Sequence, residues 1–212
     1  MFEIVLDDGG MNLLSSSMLR WIRLQLPSGG SLLVLRSGRP HIFAAGADMA
    51  EMRAFGARDA EEFARLGQEL FAAIERLPTI TVALIDGDCF GGALDLVLAF
   101  DLRFSTPRSR FAHPGGNLGI VTGFGGTSRW RKAMDRAAAR RLFLSNERLS
   151  AQEAMEAGLV DRVAQSFDDE LRRLETLDPT TTRLLKELSR HADALSRSEL
   201  MLLAERLGAL YR

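Results

Sequence analysis

Short runs of Val, Ile and Leu alternate along the chain with longer stretches in which apolar residues recur every three or four positions. The short runs, 3–6, 31–36, 80–85, 102–105 and 159–163, read as strands, the first three ending near Gly or Asp turn signals. The longer stretches read as helices: 13–25 behind an Asn12 cap, 58–76, a short one opening at Gly91 or Gly92, and 126–144. Alternation of this kind predicts βαβ units with parallel strands, and ligands then bind at the carboxyl ends of those strands. From Pro179 to Arg212 the pattern is helical throughout, with Leu184, Leu185, Leu188, Leu195, Leu202 and Leu203 on one apolar stripe.

Composition narrows the possibilities. A chain of 212 residues with 46% apolar and 26% charged side chains suits one folded domain, at most with a helical appendage. Its 27 basic and 28 acidic residues nearly cancel, which argues against a nucleic-acid partner. Cys89 is the only cysteine, so neither an intrachain disulfide nor a thiolate metal cluster is available; it reads as a small buried filler, and no metal is expected. The opening MFEIVLDDGG carries acid where a signal peptide carries base, and no apolar run approaches the roughly 18 residues that cross a bilayer. The expectation is a cytoplasmic protein with no membrane partner.

Candidate chemistry lies in two loops that follow predicted strands. One is Phe43, Ala44, Ala45, Gly46, Ala47 and Asp48; the other runs from Asp86 through Gly91 and Gly92 to Asp95. Small residues at both turns let backbone N–H groups approach a ligand, and Gly92 stands at a helix N-terminus. Two such N–H groups can make an oxyanion hole. Taken alone, Gly91-Gly92 reads as an ordinary tight strand-to-helix turn.

The order FAAGAD, then DGxxxGGxxD some 40 residues on, then FAHPGGNLG at 111–119, GFGGT at 123–127 and SNERLSAQEAMEAGLV at 145–160, resembles the enoyl-CoA hydratase/isomerase, or crotonase, superfamily. The resemblance covers roughly 3–165. It implies an α/β fold with a crotonase-type ββα spiral core at 1–165 and a C-terminal helical extension at 166–212 that builds a trimer or a dimer of trimers. It implies an acyl-CoA thioester as substrate, with coenzyme A entering only as part of that substrate and no other cofactor. The N–H groups of Ala47 and Gly92 would hold the thioester oxygen while an enolate forms. The loop around Phe43, Ala44, Ala45, Gly46 and Asp48, with Gly91 and Gly115, would border the bound thioester; Met49, Met52 and Phe55 read by themselves as ordinary core or lid packing, but the family places their helix against the acyl chain.

The chain departs from the family pattern where hydratases place two glutamates: Asp95 stands at the first position and Gly115 at the second. Concerted hydration between two carboxylates is therefore not expected, and isomerisation or other enolate chemistry ranks above it. Asp95 is the leading proton carrier, since burial would raise its pKa into a useful range, or else a carboxylate that complements its helix dipole. His113 stands in the turn with Gly115 as a substitute base or as a packed imidazole; Asn117 and Thr122 are further polar candidates. In a related branch, the dihydroxynaphthoyl-CoA synthases, the second acid is also glycine, but an aspartate stands where this chain has Thr122. Asp101 reads as a structural hydrogen-bonding residue. The chain is shorter than usual for the family, and by that resemblance the final helix that covers the acyl-CoA site is expected to be missing. The alternative to an enzyme is a catalytically silent crotonase-fold subunit that binds CoA thioesters or serves in assembly.

Overall fold

A computed structural model describes residues 1–189 and Met201. The elements run β1 (Phe2–Leu6), α1 (Ser16–Gln25), β2 (Leu32–Ser37), β3 (Ile42–Ala44), α2 (Met49–Met52), α3 (Ala57–Arg76), β4 (Ile80–Ile85), β5 (Asp88–Phe90), α4 (Gly92–Val97), β6 (Leu102–Ser105), β7 (Arg110–Ala112), α5 (Gly115–Leu118), α6 (Gly126–Ala133), α7 (Arg136–Leu144), β8 (Leu149–Ser150), α8 (Ala151–Glu156), β9 (Arg162–Val163), α9 (Asp168–Glu175) and α10 (Pro179–Leu188). Five strands in the order β1-β2-β4-β6-β9 form a wholly parallel sheet. A second sheet, β3-β5-β7-β8, stacks the short segments that follow β2, β4 and β6, and is parallel except for its last pair. Each turn of the chain thus lays one strand in each sheet before a helix returns, the expected α/β spiral.

Periodicity explains where the core lies. The strands of the large sheet are apolar on both faces, as burial on both sides requires. One face packs Leu33, Leu35, Ala83 and Ile85 against Leu19 and Ile22 of α1 and Phe71 and Ile74 of α3. The other buries Leu32, Val34, Val82 and Phe104 beneath Phe167 and Leu174, with the Phe104 and Phe167 rings stacked at 5.0 Å. The segment after residue 165 therefore covers the far face of this sheet. There Leu184 of α10 is buried, Leu185 stays exposed, and Lys186 donates to Thr79 O at 2.8 Å and to Asp101 Oδ2. Asp101 Oδ2 also accepts from Thr81 N at 2.8 Å, so its role is the structural one expected. Leu195, Leu202 and Leu203 of the anticipated stripe lie outside the described residues.

Three sequence expectations change. Asn12 does not cap α1: Ser15 does, its Oγ accepting from Met18 N at 3.1 Å. Asn12 instead has φ 52° and donates from Nδ2 to Ser37 Oγ and Phe43 O, tying the chain after β1 to the ends of β2 and β3. The helix expected over 126–144 is two helices, because Met134 is extended and Asp135 caps α7 by accepting from Ala137 N and Ala138 N. The strand expected at 159–163 shortens to Arg162–Val163, since the N–H groups of Leu159 and Val160 both turn back to Ala154 O to close α8.

Candidate active site

The strand–loop segment after β3 and the loop before α4 meet at one place. Leu14 pairs with Ala47 as an isolated parallel bridge: Leu14 N–H donates to Gly46 O at 2.8 Å and Leu14 O accepts from Asp48 N at 3.4 Å. Both bonds go to residues flanking Ala47, so its own N–H points the opposite way. Gly91 N–H donates to Ala112 O at 2.9 Å and Gly91 O accepts from Leu94 N at 2.9 Å, which turns the N–H of Gly92, the first of α4, outward from the helix end. Among the described residues neither N–H has a protein acceptor. The approach is close: a Cβ on Gly46, whose φ is +97°, would lie 3.2 Å from Gly92 N and 2.8 Å from Phe90 O. Only glycine allows both that backbone angle and that contact.

Ala47 and Gly92 open onto a cavity of about 230 Å³. Met49, Met52, Phe55, Phe63 and Phe124 give it an apolar wall, and His113, Gly115, Ile120 and Thr122 close the opposite side. Phe63 packs at a tilt against both Phe55 and Phe124, with centroids 5.2 and 5.1 Å apart, and Phe124 fits over Gly67 of α3, where a Cβ would stand 2.1 Å from its ring. Met49, Met52 and Phe55 thus belong to the cavity wall and not only to the core.

Asp95 lies directly behind this cavity and is fully buried. Its Oδ2 accepts from Thr122 Oγ1. Its Oδ1 stands 4.0 Å from His113 Nε2, and neither atom has a hydrogen-bond partner among the described residues. Gly126 makes room for the carboxyl: a Cβ there would fall 1.6 Å from Oδ1. Burial pushes the Asp95 carboxyl up to about 7, only partly opposed by the Thr122 hydrogen bond and the Arg129 charge. Burial also holds the His113 imidazole below its ordinary range.

The anticipated residues separate by position. Ala45, Gly46, Ala47, Gly91, Gly92, His113 and Gly115 line the cavity together. Phe43 and Ala44 do not: both are fully buried in β3, with Phe43 O accepting from Asn12. Asp48 also lies aside, capping α2 by accepting from Ala50 N and Glu51 N at 2.8 and 3.1 Å. Asn117 accepts from Asn146 Nδ2 at 3.0 Å on the surface. Cys89 is fully buried and its thiol is pushed up by burial, consistent with a filler. Thr122, only a minor candidate in the sequence, and Gly126, unmarked there, both touch the Asp95 carboxyl; a contact across 27 residues leaves no local signal. Among the described residues no three His, Cys, Asp or Glu side chains are grouped to hold a metal. No described helix is long and apolar enough to cross a membrane.

Comparisons with known proteins agree with this geometry. Residues 31–202 match the family model for enoyl-CoA hydratase/isomerase. The chain is 35% identical over 134 residues to a crotonyl-CoA hydratase of Syntrophomonas wolfei, covering 63% of this chain and 52% of that protein. It is 31% identical over 133 residues to a short-chain-enoyl-CoA hydratase of Clostridium acetobutylicum, covering 63% and 51%. The match spans about half the length of these curated relatives. An enoyl-CoA hydratase structure from Bacillus anthracis superposes with a TM-score of 0.87 at 24% identity, over 99% of this chain and 87% of that one. With the two-sheet spiral, the paired glycine-lined turns and the family model all coinciding, the chain belongs to the enoyl-CoA hydratase/isomerase, or crotonase, family.

Proposed function

We propose that this protein binds an acyl-CoA thioester in the 230 Å³ cavity and stabilises the enolate formed from it. The observation that carries the reading is the convergence of the Ala47 and Gly92 N–H groups, neither with a protein acceptor among the described residues, on an apolar cavity. A thioester oxygen placed between them gains two donors that need no reorganisation as charge develops. The acyl chain then lies along Met49, Met52 and Phe55. The chemistry draws on no cofactor beyond the coenzyme A of the substrate, because fixed backbone dipoles hold the charge.

Double-bond migration is favoured over hydration. Hydration needs a water held and deprotonated as well as a proton delivered, whereas migration needs one group to take and return a proton. Gly115 supplies no side chain for the water, and a Cβ there would lie 2.6 Å from Ile120 O. Gly115→Glu is therefore expected to distort the turn and not to restore hydration. The cytoplasm, where acyl-CoA is made and consumed, and a trimer or dimer of trimers complete the reading.

The test is turnover of 3-butenoyl-CoA and crotonyl-CoA by wild type and Gly92→Pro. Proline is tolerated at the first position of a helix but removes the N–H. The expected result is isomerisation of 3-butenoyl-CoA, slow hydration of crotonyl-CoA, and a loss of about 10²- to 10³-fold in the folded proline variant. Binding of both thioesters with turnover of neither would favour a silent binding subunit.

A further inference from the structure

We propose that His113 is the group that moves protons on the bound thioester and that Asp95 is its positioning residue; the proposal rests on the acyl-CoA reading above. Asp95 cannot touch a ligand as it stands, since it is fully buried and absent from the cavity wall. His113 does line the wall. Behind it, Nε2 faces Asp95 Oδ1 at 4.0 Å, both atoms buried and, among the described residues, without partners. A buried polar atom left unpaired is costly, so two that face each other are poised to pair. A shift of roughly 1 Å makes the hydrogen bond.

The opposite edge of the imidazole is equally informative. A Cβ on Gly115 would meet His113 Cε1 at 3.2 Å and Nδ1 at 3.3 Å. The imidazole edge therefore stands beside the space that a side chain at 115 would enter. Phe143 of α7 packs on the ring at 4.6 Å between centroids and fixes its plane. One carboxyl and one imidazole, in series, take the place of two carboxylates.

The step balances within the dyad. Forming the dyad requires the ring to give up its hydrogen bond to the His113 backbone; ionised Asp95 then accepts the Nε2–H, and the Nδ1 lone pair becomes free. Nδ1 takes a proton from the carbon beside the thioester carbonyl. The C–H electrons become the enolate double bond, and the carbonyl electron pair moves to the oxygen held by Ala47 and Gly92. The imidazolium so formed lies beside a carboxylate, and the pair is neutral overall. Returning the proton to the γ-carbon of an unsaturated acyl chain gives the isomer and restores neutral imidazole.

Other groups packed round the dyad set its pH range. Arg129 of α6 favours ionised Asp95 and is itself paired with Glu75 of α3 at 2.9 Å. The thiol of Cys89 in β5 is a buried neutral neighbour, and Thr122 holds the second carboxyl oxygen. With Asp95 titrating at about 7 and His113 held neutral by burial, the competent state, carboxylate with neutral imidazole, fills as pH rises through about 7.

The test is exchange of the α-protons of butyryl-CoA in deuterated water, alongside butyryl-CoA binding by calorimetry. His113→Gln is expected to slow exchange by about 10²- to 10⁴-fold with binding retained. Asp95→Asn is expected to remove the rise through about pH 7, and the double variant to be no slower than His113→Gln alone. Wild-type exchange in His113→Gln, or an unchanged pH step in Asp95→Asn, overturns the dyad while leaving the acyl-CoA reading intact. Binding without exchange in wild type overturns the dyad and, with it, the enolate part of the acyl-CoA reading, leaving only thioester binding. Absence of binding overturns the acyl-CoA reading and the dyad with it. A measurement that needs no variant is the histidine side-chain nitrogen spectrum of the wild type on the alkaline side of the step: an Nε2–H tautomer is expected for His113, and an Nδ1–H tautomer contradicts the proposal.

Discussion

A carboxyl as enclosed as that of Asp95 makes stability depend on pH in an unusual direction. The unfolded chain releases this proton near the ordinary value of 3.8, whereas the native chain holds it until about 7. Across that window the unfolded state binds fewer protons, so the wild type loses stability as pH rises, and the loss levels off above about 7. Asp95→Asn does not titrate. Its stability relative to wild type should therefore grow from acid to mildly alkaline pH, by up to about 4 kcal/mol at roughly 1.4 kcal/mol per unit of pKa. Urea denaturation of both proteins on either side of the window checks this, and a difference that stays constant with pH would contradict it. The sequence named Asp95, His113 and Gly115 because each sits in a recognisable motif. It could not show that Asp95 is sealed behind the cavity, because Thr122 and Gly126, which enclose the carboxyl, are brought to it only by the packing of α6 against α4. Phe43 and Ala44 were named from a motif, which gives positions along the chain; in β3 their side chains point to opposite faces and both are buried, so neither side chain lines the cavity.

Among the elements, those of the large sheet and its long helices were legible, β6 at 102–105 and the opening of α4 at Gly92 included, whereas the strands of the small sheet were not. β2, β4 and α3 carry enough consecutive signal to mark their positions. The strands of the small sheet have only two or three residues each and are held by neighbours across the sheet, so no local pattern announces them. Yet that sheet positions the site, since Gly91 is fixed by its bond to Ala112 at the end of β7 and Ala47 follows β3. The far side of the large sheet depends on α10, whose Lys186 bonds to Thr79 O and Asp101 Oδ2 at a largely enclosed point. Lys186→Met keeps the aliphatic stem and removes the charge. It should cost about 2 kcal/mol, the scale of a charged hydrogen bond in such surroundings, and lower the urea midpoint accordingly. An unchanged midpoint would show that α10 is held by Leu184 alone.

At the scale of the whole molecule, the wall of the cavity and the exposed apolar residues suggest a chain that works in company. Leu118, Val121 and Leu144 are exposed by 55, 82 and 76% on the side of α5–α7, and Leu185 by 59% on α10. Self-association that covers such residues predicts a trimer or hexamer in sedimentation of the full chain, dispersing or aggregating when 179–212 is removed. A soluble full-length monomer would contradict it. The central claim, that two backbone N–H groups hold an enolate oxygen, is tested most directly by the near-ultraviolet spectrum of acetoacetyl-CoA mixed with the protein. This thioester enolises readily, and its enolate absorbs where the keto form does not. Binding to wild type should raise the enolate band at a pH where free acetoacetyl-CoA is mostly keto. Gly92→Pro should bind without raising it. A bound ligand that stays keto in the wild type, or an equal enolate band in Gly92→Pro, would contradict the account.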